Sequence, residues 1–467
     1  MDIQINTGQI PQYVKDLAGR LIDNQFSAYL VGGAIRDLII NRPPKDFDIA
    51  TNATPEQMQR LFPRSIFTGA RFGNIQVITQ DEKGERFDVD ITTFREDQEY
   101  YGGRWPKQVN FKSNVESDLS RRDFTINALA IDANHIFNLE YTPNNCILDP
   151  FQGIEDISKK IIRAVRNPDE RFSEDGLRAY KACRLASELD FEIEPNTLTA
   201  IKRRRNIAAK ISLERVATEL RKILTYSPKP SKGIKYLDQC GLLKIIIPEL
   251  ELTKNIIQPR WHKFDLFEHS LLTMDNSEDD IKLAGLLHDI GKIKTIITEN
   301  DKVNFFGHAT EGAKIAFEIL KRLKIENKLI EETCLLIKHH MFSLDKNNPA
   351  MSAKKLCKKI QSKTIDYELI NKLIRLRIAD GSSTGFDFDY SEISFIQKNI
   401  EEAVLTIPKI SLDQLEINGD DLINIGFIAG PKIGKTLNNL LNIVNKKPEM
   451  NTHQSLIKYA KMLLQEN

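Results

Sequence analysis

Asp46 and Asp48 follow a Gly32-Gly33 pair in the run LVGGAIRDLIINRPPKDFDIA. On an extended strand, residues two apart point to the same face, so this spacing presents two carboxylates side by side. Mg²⁺ takes such ligands when it must also hold phosphate oxygens and an attacking hydroxyl. The glycines leave backbone N–H groups uncovered, and phosphate is their usual target. A second set lies in EDGLRAYKACR, where Asp175, Arg178, Lys181 and Arg184 recur every three residues. On a helix that spacing makes a slowly spiralling polar stripe. A carboxylate accepts a hydrogen bond from the exocyclic amine of C or A, and a guanidinium donates to ring acceptors, so such a stripe admits C and A and rejects U and G. A third set is imidazole-rich: His262, His269, His288, His308, His339 and His340 are six of the chain's eight histidines. His288-Asp289 closes the apolar run LAGLL, and Asp380 sits in RIADG. Imidazole with carboxylate suits Mn, Ni, Fe or Zn better than Mg alone.

The elements that position these residues change character along the chain. A helix over 11–24 leads into the apolar strand AYLVGG, and β-type runs follow at NIQVITQ, RFDVDITTF and INALAID. From about Gly153 helical periodicity takes over, which puts an α+β head before an all-α remainder. Linkers are expected at 226–231, around Pro259 and at 381–385. Residues 202–222 carry eight Lys or Arg against Glu214 and Glu219, a basic face suited to RNA phosphates. GPKIGKT, at 430–436, resembles a phosphate-binding loop but is one residue short between its glycines and lacks a preceding strand, so it reads as a loop opening a helix.

With 467 residues the chain needs several cores. Its 41% hydrophobic and 28% charged residues are those of a globular protein, and a net charge of +1 leaves nucleic-acid contact to local patches. The five cysteines form no C-x-x-C pair, and neither a leader peptide nor an apolar run of about 18 residues is visible; the expectation is a reduced, cytoplasmic protein without a membrane span.

Five segments in order carry a resemblance: VGGAIRD through DFD, DLSRRDFTINALAID (118–132), DPFQGIEDISKKIIRAVRNPDERFSEDGLRAYKACR (149–184), SLERVATELRKIL (212–224) and INGDDLINIGFIAGPKIGKTL (417–437). The first is similar to the nucleotidyltransferase signature of the DNA polymerase β superfamily. Together they resemble the class II tRNA nucleotidyltransferase and poly(A) polymerase family, which extends RNA 3′ ends without a nucleic-acid template. The fold implied is α+β: a DNA polymerase β-like nucleotidyltransferase head (1–150), then an all-α neck that selects the nucleotide (151–225), body (226–258), HD domain (259–385) and tail (386–467). The roles implied are Mg²⁺ binding for Asp46 and Asp48, with Asp90 rather than Asp88 as third acid. Gly33 and Arg36 would meet the triphosphate, and Arg122 sugar or phosphate, with Asp123 orienting its loop. Asp175, Arg178, Lys181 and Arg184 would act as a protein template, Lys181 standing where Arg is more usual. The histidine region resembles the HD metal-phosphohydrolases, which implies a divalent transition metal on His269, His288, Asp289 and Asp380, a second on His308 and His339, and phosphatase or 2′,3′-cyclic phosphodiesterase chemistry. The activity implied is CCA addition to tRNA from CTP and ATP. Addition of A alone, poly(A) synthesis, and an HD hydrolase with an RNA-binding head are the alternatives; CC-only addition is disfavoured by the full-length loop at 94–111.

Overall fold

A computed structural model describes residues 4–67, 72–80, 84–101, 105–111, 114–138, 141–143, 146–259, 262–299, 302–360, 367–406 and 412–465. The chain divides into two compact units, one of residues 1–251 with 322–325, the other of 252–321 with 326–467.

The first unit is built on a twisted sheet. Among the described residues its strands are β1 (Ala28–Val31), β2 (Asp48–Thr51), β3 (Ser65–Ile66), β4 (Asn74–Gln80), β5 (Arg86–Thr93), β6 (Ala130–Asp132) and β7 (Ile147–Leu148), in the order β7-β6-β1-β2-β5-β4-β3. Every neighbouring pair is antiparallel except β2 with β5. That parallel pair sets Asp48 opposite Asp90. Helix α1 (Gln12–Asp23) buries Val14, Leu17, Ala18 and Leu21, the i, i+3, i+4, i+7 face of an amphipathic helix. Helix α2 (Gly33–Ile39) starts directly after β1, and α3 (Val115–Ser120) covers Val31, Ala50 and Phe94 with Val115 and Leu119. The segment expected as a loop at 94–111 is an antiparallel hairpin, Arg95–Tyr101 with Trp105–Phe111; its alternating pattern around Gly102-Gly103, themselves outside the described residues, is a hairpin signal.

Helices follow: α4 (Pro168–Glu174), α5 (Leu177–Glu188), α6 (Pro195–Ala208), α7 (Leu213–Tyr226) and α8 (Pro230–Gln239). The Asn167 side chain caps α4 by accepting from Asp169 N–H, with Pro168 in the first turn where its missing donor is harmless. The expected linker at 226–231 is a short turn between α7 and α8 that buries Ser227. The helical part is not wholly α: Ile161–Ile162 pairs in parallel with Glu192–Ile193.

In the second unit, α9 (Leu266–Asp275) is capped by Asp265, which accepts from Glu268 N–H at 2.8 Å. Helices α10 (Lys282–Leu287), α11 (His308–Arg322), α12 (Asn327–His339), α13 (Tyr367–Ser382) and α14 (Tyr390–Thr406) follow, with a small hairpin, Ile297–Glu299 with Lys302–Asn304, before α11. One apolar cluster joins α10, α12, α13 and α14, and a separate one spans Leu415 to Ala460. The expected linker at 381–385 starts late: α13 runs on to Ser382, residues 383–389 connect it to α14, and Gly381 packs against the Phe388 ring. Gly430 precedes a helix at Pro431–Lys446, as the loop reading of GPKIGKT requires. All five cysteines are free thiols. No helix among the described residues is long and apolar enough to cross a membrane.

Candidate functional site

Three carboxylates gather at the central parallel pair of the sheet. β2 begins at Asp48, Asp46 lies in the segment leading into it, and Asp90 stands beside Asp48 across the parallel pair. Asp88, which shares Asp90's face, is exposed two residues earlier on β5 with Arg86 3.7 Å away. Register therefore separates the two acids that spacing could not. Burial pushes the Asp48 carboxyl up to about 6; Arg122 opposes this, and Asp90 and Asp46 add to it. Burial also raises Asp90, against a hydrogen bond from Asn74.

Gly32 turns the chain from β1 into α2 with φ +83°, a conformation that costs glycine nothing. A Cβ there would come within 2.7 Å of Arg122 Nη1. Arg122 is steered to this position by Asp118, which accepts from its Nη2 at 3.1 Å. Arg36 is turned inward instead of toward an open phosphate site: its guanidinium donates to Asp37 Oδ1 and Asn127 Oδ1, and only 7% of the residue is exposed. Asp123 orients its own loop as expected, accepting from Phe124 N–H and Asn127 Nδ2.

The expected polar stripe divides in two. Asp175 is not on the helix; it precedes α5 and caps it, accepting from Leu177 N–H at 3.0 Å. The three-residue rhythm had been counted across the break at Gly176. On α5 itself, Arg178 donates to Glu174 at 2.6 Å and to the Arg121 carbonyl at 2.7 Å, and Lys181 lies 3.8 Å from Asp123. These two cations thus border the Arg121–Asp123 loop. Arg184 points elsewhere, to Glu188 and Glu219. The basic run is partly neutralised, since Arg203 and Arg204 both pair with Asp169 at 2.9 Å.

The histidine centre in the second unit is assembled differently. His269 Nε2 lies 3.2 Å from His288 Nε2 and 3.1 Å from Asp380 Oδ1. Asp289 faces two ways: its Oδ2 is 3.3 Å from His288 Nε2, its Oδ1 is 3.2 Å from His308 Nε2 and 3.6 Å from His340 Nε2. Burial would raise Asp289, but Lys292 and His288 hold it well below the usual carboxylate range. Each Nδ1 faces a backbone carbonyl: His269 toward Ser383 at 3.2 Å, His288 toward Gly285 at 2.8 Å, His308 toward Phe305 and His340 toward Ile337, both at 2.7 Å. A carbonyl only accepts, so the proton sits on Nδ1 and the Nε2 lone pair points inward. Gly291 permits this crowding; a Cβ there would fall 2.1 Å from the His308 carbonyl. A cavity of about 1040 Å³ opens on the centre, lined by Lys292, Phe306, Arg377 and Phe386 among others.

The sequence matches three families: "Poly A polymerase head domain" over residues 28–163, "Probable RNA and SrmB- binding site of polymerase A" over 190–253, and "HD domain" over 265–376. It is 31% identical to the CCA-adding enzyme of Ligilactobacillus salivarius over 463 residues, 94% of each chain. This chain belongs to the CCA-adding enzyme family, the tRNA nucleotidyltransferases. The CCA-adding enzyme of Enterococcus faecalis is 43% identical over 218 residues, a match spanning 46% of this chain and half of that one. In fold, the chain is similar to the Bacillus stearothermophilus CCA-adding enzyme solved in complex with CTP, with a TM-score of 0.61, 24% identity and coverage of 97% and 98% of the two chains. The Thermotoga maritima CCA-adding enzyme complexed with tRNA matches at a TM-score of 0.50 and 19% identity over 99% and 100%.

A nucleotidyltransferase head and an HD domain both imply divalent metal ions, and both centres of this CCA-adding enzyme fit one. At the head, the like charges of Asp46, Asp48 and Asp90 call for a cation. At the histidine centre, the buried Nε2 atoms of His308 and His340 face Asp289 Oδ1 without making a hydrogen bond to it, an arrangement that a cation between them would satisfy. The groups of three ligand atoms lying within 4.8 Å of one another are, among the described residues, all histidine–aspartate groups: His262-His269-Asp380, His269-His288-Asp289, His288-His340-Asp380 and Asp289-His308-His340. His340 and His262, which the sequence pattern assigns to neither metal, stand in these groups, and His339 stands in none. Neighbours on a helix diverge by about 100°, and of these two adjacent rings His340 alone joins the groups; burial, with Lys359 and Lys338, lowers the His339 pKa.

Proposed function

We propose that the first unit adds CMP and AMP, taken from CTP and ATP, to tRNA 3′ ends to complete CCA. The observation that carries this reading is Asp48 set against Asp90 across the one parallel strand pair, with Asp46 just upstream and Arg122 over the bare Gly32 turn. Asp46 and Asp48 would hold Mg²⁺, the ion that a set of carboxylates alone favours. Bound there, the ion would acidify the RNA 3′-hydroxyl and offset charge gathering on the phosphates. Asp90 sits close enough to tune both carboxylates. The Gly32-Gly33 backbone and Arg122 would hold phosphate and sugar, while Arg36, clamped on Asp37 and Asn127, would fix the turn from behind.

Base choice would fall to Arg178 and Lys181 on the rim of the Arg121–Asp123 loop and to Asp175 at the start of α5, with Arg184 one turn deeper. The basic faces of α6 and α7 would grip the acceptor arm through its phosphates, because duplex RNA offers little sequence to read. The head would end near 150, the neck near 225 and the body near 258, followed by an HD domain to 385 and a tail to 467. An enzyme with this substrate would work in the cytoplasm.

The test uses tRNAs lacking CCA, CA or A, each with a single labelled nucleotide. CTP should extend the first two and ATP only the third. Run-on addition of A would identify a poly(A) polymerase, and activity confined to ATP on tRNA ending in CC an A-adding enzyme.

A second activity is favoured by the inward-facing Nε2 atoms. The second unit would bind Mn, Ni, Fe or Zn on His269, His288, Asp289 and Asp380, with His308 and His340 completing a second position on the far oxygen of Asp289. Such a centre hydrolyses phosphate esters, including 2′,3′-cyclic ends of damaged RNA. Release of phosphate or opening of a cyclic ester by metal-loaded protein, lost in His288→Ala, tests it.

A further inference from the structure

The segment that carries Asp46 is tied to the base-reading helix through one carboxylate. Glu188 is the last residue of α5 and is 8% exposed. Its Oε1 accepts from Arg42 Nη2 at 2.9 Å and from Lys45 Nζ at 3.0 Å. Its Oε2 accepts from Arg184, whose Nε donates to Glu219 at 2.7 Å on the other side. Lys45 is held a second time, with its Nζ over the Tyr226 ring at the end of α7, 2.9 Å from the centroid. Three cations thus meet on one buried carboxylate. Two come from the segment leading into β2, and one from the helix that carries Arg178 and Lys181.

The chain between the two ties is stiff. Pro43 and Pro44 fix φ between Arg42 and Lys45. Asp46 is the next residue, so a movement of Lys45 moves Asp46 with it. Without Glu188, Arg42, Lys45 and Arg184 would face one another with no shared counter-charge, and the segment would be driven off α5.

We propose that Glu188 is a positioning residue that sets Asp46 for catalysis by anchoring its segment to the base-reading helix. This rests on the reading of Asp46 as a metal ligand and α5 as the nucleotide-selecting helix. Glu188 touches neither substrate nor metal; it acts through Arg42, Lys45 and Arg184. A nucleotide that draws Arg184 toward its base would thereby be felt at Asp46.

The experiment uses the full chain with Glu188→Gln, Lys45→Met (which keeps the stem on Tyr226) and the double variant. Nucleotide addition, the Mg²⁺ concentration for half-maximal rate, CTP affinity without tRNA, and melting temperature are measured together. Glu188→Gln should lower kcat by about tenfold or more, since a displacement near 1 Å can cost a hundredfold. It should also raise the Mg²⁺ requirement severalfold, by more than it weakens CTP binding, at temperatures well below the melting point of the variant. Lys45→Met should reproduce the defect, and the double variant should be no worse than either single one, as two ends of one contact require. An unmoved Mg²⁺ requirement, defects that multiply, or a loss of rate that only follows a lower melting temperature would overturn the proposal. Asp46→Asn separates the two levels: if it keeps full activity, the metal reading falls and the tie with it. If it is inactive while Glu188→Gln behaves as wild type, only the tie falls.

Discussion

The two candidate metal centres are built on opposite plans. In the head, carboxylates alone are brought together by the register of two adjacent strands, and mutual repulsion works against them. In the second unit, imidazoles and carboxylates from α9, the end of α10, the start of α11, the end of α12 and α13 converge in a buried cluster, each ring locked by a backbone carbonyl. The first plan leaves room for a metal that arrives with its nucleotide and leaves with pyrophosphate. The second would hold a resident ion, because the Nε2 atoms of His269, His288, His308 and His340 face inward before an ion binds. Exchange and retention are thus written into the ligand chemistry.

The sharpest way to break this contrast is at the head. Asp46→Asn with Asp48→Asn should reduce nucleotide addition by about a thousandfold or more, since both charge neutralisation and hydroxyl activation are lost. tRNA binding, carried by surface cations, should persist. Residual addition above a tenth of the wild-type rate would show that the carboxylates are not the metal site.

The converse test removes the resident ion. His288→Ala with Asp289→Ala should abolish bound transition metal, read by elemental analysis, and leave nucleotide addition within about threefold, because the two centres share no ligand. A finer pair follows from the cluster: His340→Ala should lower metal content, and His339→Ala should not. Equal losses in both would mean that the end of α12 supports the fold and does not supply a ligand.

This contrast also explains what could be read from residue order. The head signature was legible because its parts are close in sequence: Gly32-Gly33, Asp46 and Asp48 fall on one strand–helix–strand unit and its entry segment, whereas the inward turn of Arg36 depends on Asn127 far along the chain. Asp90 against Asp88 needed the β2–β5 register, which no local pattern supplies. The histidines were legible as a set but not one by one. Whether His339 or His340 faces the centre depends on the rotational phase of α12, which packing decides. Asp175 was misplaced because a three-residue rhythm takes no account of Gly176, where the helix begins anew. The 381–385 linker was inferred from composition, but Gly381 lies within α13, where the Phe388 ring occupies the space a side chain would need.

A smaller effect concerns base choice. Arg178 spans the neck and the Arg121 carbonyl, so Arg178→Ala should blunt discrimination between CTP and UTP by about ten- to a hundredfold. If selectivity survives while turnover falls, Arg178 only braces the loop. The contrast with the second unit predicts that metal content there stays unchanged.

The smallest effect is on stability, and its sign is opposite to that on activity. A carboxyl whose pKa is raised by folding, as Asp48 is to about 6, keeps a proton that the unfolded chain has already released. Its contribution favours the fold at low pH and is lost as pH rises from about 4 through about 6. At pH 7.5 and without divalent ions, Asp48 is therefore a charge held at a cost on the order of 2 kcal/mol. Asp48→Asn should raise the melting temperature of the unit containing it by about 4 to 8 °C at pH 7.5. At pH 4, where the wild-type group is protonated, the difference should shrink toward zero. Adding Mg²⁺ should stabilise the wild type and not the variant. Calorimetry at both pH values decides the matter: an equal gain at pH 4 and pH 7.5 would assign it to packing, and the head would not be the strained, exchange-ready partner of the comparison.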